Sequence, residues 1–123
     1  MRDIVYFDLE TRHSAAEVGG WHNTAEMRLS VGVTYSTASG KYTIYSEEMV
    51  DDLIRQLSQA DLVVGMSPAH VAGVPGGISL GELAGTGEAV ADPFGGDADT
   101  YRLCADQIAR LLKAADERGA FGP

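Results

Sequence analysis

Basic residues are scarce in this chain: nine lysines and arginines stand against eighteen aspartates and glutamates, a formal charge of -9. A protein that grips nucleic acid by its phosphates needs clustered Lys and Arg to displace counterions. The balance therefore argues against a nucleic-acid partner, although metal ions can offset such repulsion locally. There is a single cysteine, Cys104, which excludes an internal disulfide and a zinc site built from cysteines. No apolar run approaches the ~20 residues of a membrane span, and the opening Met-Arg-Asp does not resemble a signal peptide. The expectation is a soluble, cytoplasmic protein without a membrane partner. His13, His22 and His70 have no metal-ligand spacing and are expected on the surface or in loops. At 123 residues and 45% hydrophobic content, one globular domain can bury about two thirds of its surface.

What is present begins with DIVYFDLET, Asp3 to Thr11. Ile4, Val5, Tyr6 and Phe7 form a short apolar run that suits a central strand covered on both faces. Asp8 and Glu10 stand two residues apart at its carboxyl end, and side chains at i and i+2 of a strand share a face. Such a pair can hold a divalent metal or be two solvated acids, and D-x-E spacing alone does not choose between them.

From Met27 to Thr37 the sequence alternates, with Leu29, Val31, Val33 and Tyr35 on one side, which predicts a half-buried strand. Ala38 to Gly40 make a turn into a partner strand, Lys41 to Tyr45, completing a hairpin. Ser46 is the expected N-cap of a helix reaching about Ser58, with Glu47 and Glu48 in its first turn. Its inner stripe is Met49, Val50, Leu53, Ile54 and Leu57. Ala60 to Met66 is a second buried strand, and a right-handed crossover lays it parallel to the first.

The stretch from Val71 to Ala91 carries less signal. Val74 to Gly77 reads as a turn, and Ile78 to Leu83 as a short strand or the start of a helix, the strand being favoured. The final helix runs from about Ala98 to Glu117, capped by Asp97 or Asp99 and ended by Gly119. Tyr101, Cys104, Ile108, Leu111, Leu112 and Ala115 share one stripe of it, so Cys104 is expected as a buried packing residue. In the loop His13 to Thr24, Trp21 is expected to anchor its own loop, or with His22 to shield a site mouth. The expected fold is α/β, three-layered, with a five-stranded mixed sheet of order 3-2-1-4-5 in which only strand 2 is antiparallel.

The segment FDLETRHSAAEVGGWHNTAEMRLSVGVTYSTASGKYTIYSEEMVDDLIRQLSQADLVVGM resembles the opening of ribonuclease H-like 3'-5' exonuclease domains. The resemblance spans Asp3 to about Met66. It implies a ribonuclease H-like fold, a Gly19-Gly20-Trp21 loop into the second strand, and Asp8 and Glu10 as metal ligands. That family continues with an Asn and then a further Asp ligand, where this chain has Ser67-Pro68-Ala69-His70.

From ADLVVGMSPAH through ISLGELAGTGEAVADPFGGDADTYRLCADQIARLL, about residues 60-112, the chain resembles low-molecular-weight protein-tyrosine phosphatases and their arginine-phosphatase relatives. Asp92-Pro93-Phe94-Gly95-Gly96 matches their Asp-Pro-Phe/Tyr-Gly-Gly loop, which implies for Asp92 the role of general acid. Such enzymes need a thiolate in a Cys-x5-Arg phosphate loop. Cys104 and Arg110 fit that spacing by count, but no glycine lies between them, and a phosphate loop needs glycines at a helix N-terminus.

The two resemblances together imply a chimera joined at ADLVVGM, by engineering or by natural fusion. Residues 1-59 form an exonuclease-like part, 60-66 a shared strand and 67-123 a phosphatase-like part of one domain. Within a single family the alternative is an exonuclease-like domain with an internal deletion, for which the spacing from Tyr101 to Asp106 is one residue too long. No native catalytic function is expected and no catalytic residue is assigned. A residual metal-dependent exonuclease-like activity is the alternative, and an interaction module using the Lys41 to Tyr45 edge or the acidic face is another. No cofactor is required. Weak Mg2+ or Mn2+ at Asp8 and Glu10 is the expected ligand, completed by Asp92, Asp97 or Asp99 if one of them converges there. The oligomeric expectation is a monomer or weak homodimer.

Overall fold

The computed structural model describes residues 2–11, 17, 19, 29–72, 74, 76–93 and 95–122. The expectations for His13, Trp21, His22 and the Gly-Gly-Trp loop lie outside them. Strand β1 is Ile4–Thr11, β2 Leu29–Ser36 and β3 Lys41–Ser46; a 3-10 turn, Glu47–Met49, leads into helix α1, Val50–Gln59. Then follow β4 (Leu62–Gly65), the short α2 (Pro68–Val71), β5 (Gly77–Ser79), α3 (Leu80–Ala84) and the long α4 (Ala98–Glu117). The sheet order is β3-β2-β1-β4-β5. Strand β2 pairs antiparallel with β1 and β3, while β1, β4 and β5 pair in parallel. The predicted wiring, with β2 alone reversed, is therefore the observed one.

The apolar run of β1 sits mid-sheet because it serves both faces. Phe7 packs with Val63 and Val71, and beside them Tyr45 is buried against Leu53 of α1. Ile4, of opposite parity in the strand, packs with Val64, Leu80, Leu83, Val90, Leu111 and Ala115 on the other side. Helices thus lie on both faces of the parallel part, β1, β4 and β5, the layering expected of parallel strands.

One polar tie crosses the α1 side. The Gln56 side-chain oxygen accepts from Thr34 Oγ1 at 2.8 Å and from Tyr45 OH at 2.6 Å, and both hydroxyl-bearing residues are buried. Gln56→Met keeps the volume but leaves two hydroxyls without that acceptor. It is expected to lower unfolding free energy by about 1–3 kcal/mol, read as a lower urea midpoint at unchanged slope. An unchanged midpoint would show that the two hydroxyls find water instead.

Several local expectations need correction. Ser46 has extended N-cap geometry but makes no capping bond to backbone. Its hydroxyl donates to Glu48 Oε2 at 3.0 Å, and the helix opens as a 3-10 turn. Met49 and Ile54 point outward, as does Tyr101 on α4, so the inner stripes are narrower than the periodicity implied. Of Ile78 to Leu83, only Ile78 and Ser79 lie in a strand; Leu80 begins α3. The switch occurs because Ser79 Oγ accepts from Glu82 N at 3.2 Å, an N-cap that favours helix from the next residue. Gly85, at φ 84°, closes this helix in the left-handed region. Cys104 is half-buried rather than buried.

The last helix runs as predicted, Ala98–Glu117. Asp97 is its cap: Oδ1 accepts from Thr100 N at 2.9 Å and from Thr100 Oγ1 at 2.8 Å. Among the described residues no helix is long and apolar enough to cross a membrane.

Candidate functional site

Strands β1 and β4 run in parallel, so their carboxyl ends open on the same side of the sheet, where ligands commonly bind in α/β folds. Three chain segments meet there. The first is the end of β1. Asp8 faces Val33 and Glu10 faces Val31 on β2, and both acids are exposed, whereas Leu9 between them turns inward under α1. The second segment follows β4. Ser67 Oγ accepts from His70 N at 3.4 Å and Pro68 occupies the first turn, which builds α2 and brings His70, half-buried, near enough for its charge to act on Asp8. His70, expected on the surface or in a loop, is therefore a half-buried helix residue that borders the acids.

The third segment is the connection from α3 to α4, fastened at successive residues. Arg110 grips the Glu88 carboxylate with two bonds, at 2.6 and 3.0 Å. These bonds, with a lesser one from Thr86, hold Glu88 down to about 2. Gln107 Nε2 donates to Ala89 O at 3.3 Å, Val90 N donates to Met66 O at 2.9 Å, and Cys104 Sγ lies 3.6 Å from Ala91 O. The next residue, Asp92, is thereby delivered close enough to Glu10 for its carboxyl to act on the Glu10 pKa.

Partial desolvation raises the Glu10 pKa, helped by the Asp92 carboxyl and by the charge of Asp8. Asp8 is raised as well, mainly by desolvation, with the Asp92 charge adding to it; His70 and a backbone hydrogen bond from Leu9 work against the rise. Like charges gathered at one spot favour uptake of a proton or a cation.

Of the three further acids considered from sequence, only Asp92 joins the pair. Asp97 is spent on capping α4, and Asp99 pairs with Arg102 at 3.0 Å. Among the described residues no three His, Cys, Asp or Glu side chains form a ready-made metal cage. Asp8 and Glu10 are the side chains of β1 that could hold an ion there.

The phosphatase-like spacing fares differently. On an α-helix, residues six apart are rotated by about 240°, so Cys104 and Arg110 of α4 cannot close on one phosphate. Arg110 is in any case engaged with Glu88. A signal for His70 existed in Ser67-Pro68, an N-cap followed by a first-turn proline just past a strand. None in the local pattern placed Asp92, whose position depends on the bonds of residues 88 to 91 to distant elements. Comparison of the chain with protein-family models, with curated proteins and with solved structures finds no match.

Proposed function

We propose that this chain is a ribonuclease H-like α/β domain, joined from an exonuclease-like part and a phosphatase-like part at residues 60-66, that holds one divalent cation weakly and catalyses neither parent reaction. The observation that carries the reading is the arrival of Asp92 beside Glu10 at the carboxyl end of β1. Mg2+ or Mn2+ is commonly held by one or two carboxylates with water completing the shell. Asp8 and Glu10 would be the ligands, and the ion would supply charge neutralisation where three acids now repel. Phosphodiester cleavage by two metals needs ions about 3.5–4 Å apart with ligands for both, a larger set than these residues provide. A chain of charge -9 also repels a polyanionic substrate. Asp92 as a general acid needs a leaving group held by a nucleophile, and the thiol of Cys104, on α4, lies against Ala91 O of the preceding connection.

The test incubates end-labelled single-stranded DNA and RNA with the protein and Mn2+, beside Asp8→Asn. No shortening is expected with either protein. Stepwise 3' trimming by the unmutated chain alone would restore the nuclease reading. With an aryl phosphate, Asp92→Asn should leave background turnover unchanged; a tenfold drop would reveal a nucleophile overlooked in the phosphatase-like half.

A further inference from the structure

We propose that the bare face of the β2–β3 hairpin is a docking surface for one basic, amphipathic helix of a partner protein. Pairing across β3, β2 and β1 lines up three rows of side chains on one face: Tyr42–Tyr35–Tyr6, Ile44–Val33–Asp8 and Ser46–Val31–Glu10. Helix α4 covers the β1, β4 and β5 part of this face, through Ile4, Tyr6, Leu62, Val64 and Ile78. Among the described residues, none of β2 or β3 belongs to that cluster. Tyr42 is 75% exposed, Ile44 67% and Val33 37%, and the Tyr35 and Tyr42 rings stand 4.8 Å apart as a small aromatic platform. The reverse side of the same strands is covered, with Thr34 and Tyr45 buried.

The strip spans two strands, with Tyr42, Ile44 and Val33 exposed and Val31, Tyr35 and Ser46 half-buried. Strands lie about 4.8 Å apart, so with flanking side chains the strip is about 10 Å across, the width of one helix. Its long border on β1 is acidic: Asp8 and Glu10 occupy the same rows, with Asp92 beside them. The complementary partner has an apolar stripe for Tyr42, Ile44 and Val33 and Lys or Arg along the flank that lies over β1. A second copy is the poorer fit, since it brings eighteen acids and nine bases to an already acidic border. A strand added at the β3 edge would leave the face itself bare.

The probes are two labelled helical peptides of about 18 residues with one shared Leu/Ile stripe, flanked by lysines in one and glutamates in the other. Fluorescence anisotropy is read in EDTA, so the measurement does not depend on cation binding at Asp8 and Glu10. The lysine peptide is expected to bind at least tenfold more tightly than the glutamate peptide, and to weaken as salt screens the acidic border. Ile44→Thr should weaken it tenfold or more, with Tyr42→Ser as the second variant and circular dichroism checking that each is folded. The pair Asp8→Asn/Glu10→Gln should remove most of the preference for lysine. Equal affinity for both peptides, no binding, or indifference to both face variants would overturn the proposal. So would light scattering that shows a homodimer dissociated by Ile44→Thr, which would assign the face to a second copy.

Discussion

Gly81→Ala is expected to cost about 3 kcal/mol or more of unfolding free energy, a large share of the roughly 5–15 kcal/mol typical of a domain. Gly81 is buried in α3, and the backbone of Glu88 passes directly over it. A Cβ there would lie 2.6 Å from Glu88 N and 2.7 Å from Glu88 C, and closer still to the Glu88 carbonyl oxygen. These are main-chain atoms, so no side-chain rotation relieves the contact. The overlying loop cannot lift freely either, because Thr86 N and Gly87 N each donate to Gly81 O at 3.0 Å and Glu88 is clamped by Arg110. Pushing Glu88 outward would draw Val90 from the core and Asp92 from Glu10. Urea denaturation checks it: the midpoint should fall sharply, and a midpoint equal to the unmutated chain's would mean that the loop does not cross α3 as described.

The loop that makes Gly81 critical also marks the limit of what local pattern reveals. The sheet order was legible because each step had a local cause: an apolar run for β1, alternation in β2, a glycine turn at Gly40, and a crossover whose hand is nearly fixed. Asp97 and Gly119 bounded α4 by capping chemistry, and Asp8 and Glu10 were placed on one face by strand alternation. Leu80 was harder, since Ile78, Ser79 and Leu80 are too few to show a period, and the Ser79 cap settled the matter. Asp92 depends on the Val90 bond to Met66 O and the Glu88 pair with Arg110. These long-range contacts leave no trace in spacing. Alternation marked β2 as half-buried, but the side it buries is the polar one: Gly32, Thr34 and Ser36 are buried, whereas Val33 on the apolar side is exposed, because α1 packs on the first side and α4 does not reach the second. In β3, Tyr42, Ile44 and Tyr45 are apolar at both parities, so only the packed structure separates the exposed pair from the buried ring.

Mn2+ is expected to bind in the millimolar range near neutral pH, to weaken as pH falls through the raised carboxyl pKa values, and to lose its site in Asp8→Asn. The sign follows from the acids. Asp8 and Glu10 both have pKa values raised in the folded state, chiefly by desolvation. A cation needs the carboxylate forms, so protons compete with it at higher pH than they would for free carboxylates, and affinity rises as pH climbs through the raised values. The same shifts govern stability without metal. Between the ordinary and the raised pKa the folded chain binds more protons than the unfolded one, so stability falls as pH rises through that window. Above it the full cost of the crowded charges remains. Asp8→Asn should therefore melt higher than the unmutated chain at neutral pH in EDTA, and the advantage should vanish below the ordinary aspartate pKa, where both states are protonated. Mn2+ opposes the same cost from the other direction. At ten times its dissociation constant a ligand specific to the folded state contributes about 1.4 kcal/mol, a shift of several degrees for a domain of this size. Thermal melts at neutral pH and pH 5, with and without Mn2+, for both proteins, decide the matter. A shift retained in full by Asp8→Asn, or one larger at pH 5 than at neutral pH, would place the bound ion somewhere other than the end of β1.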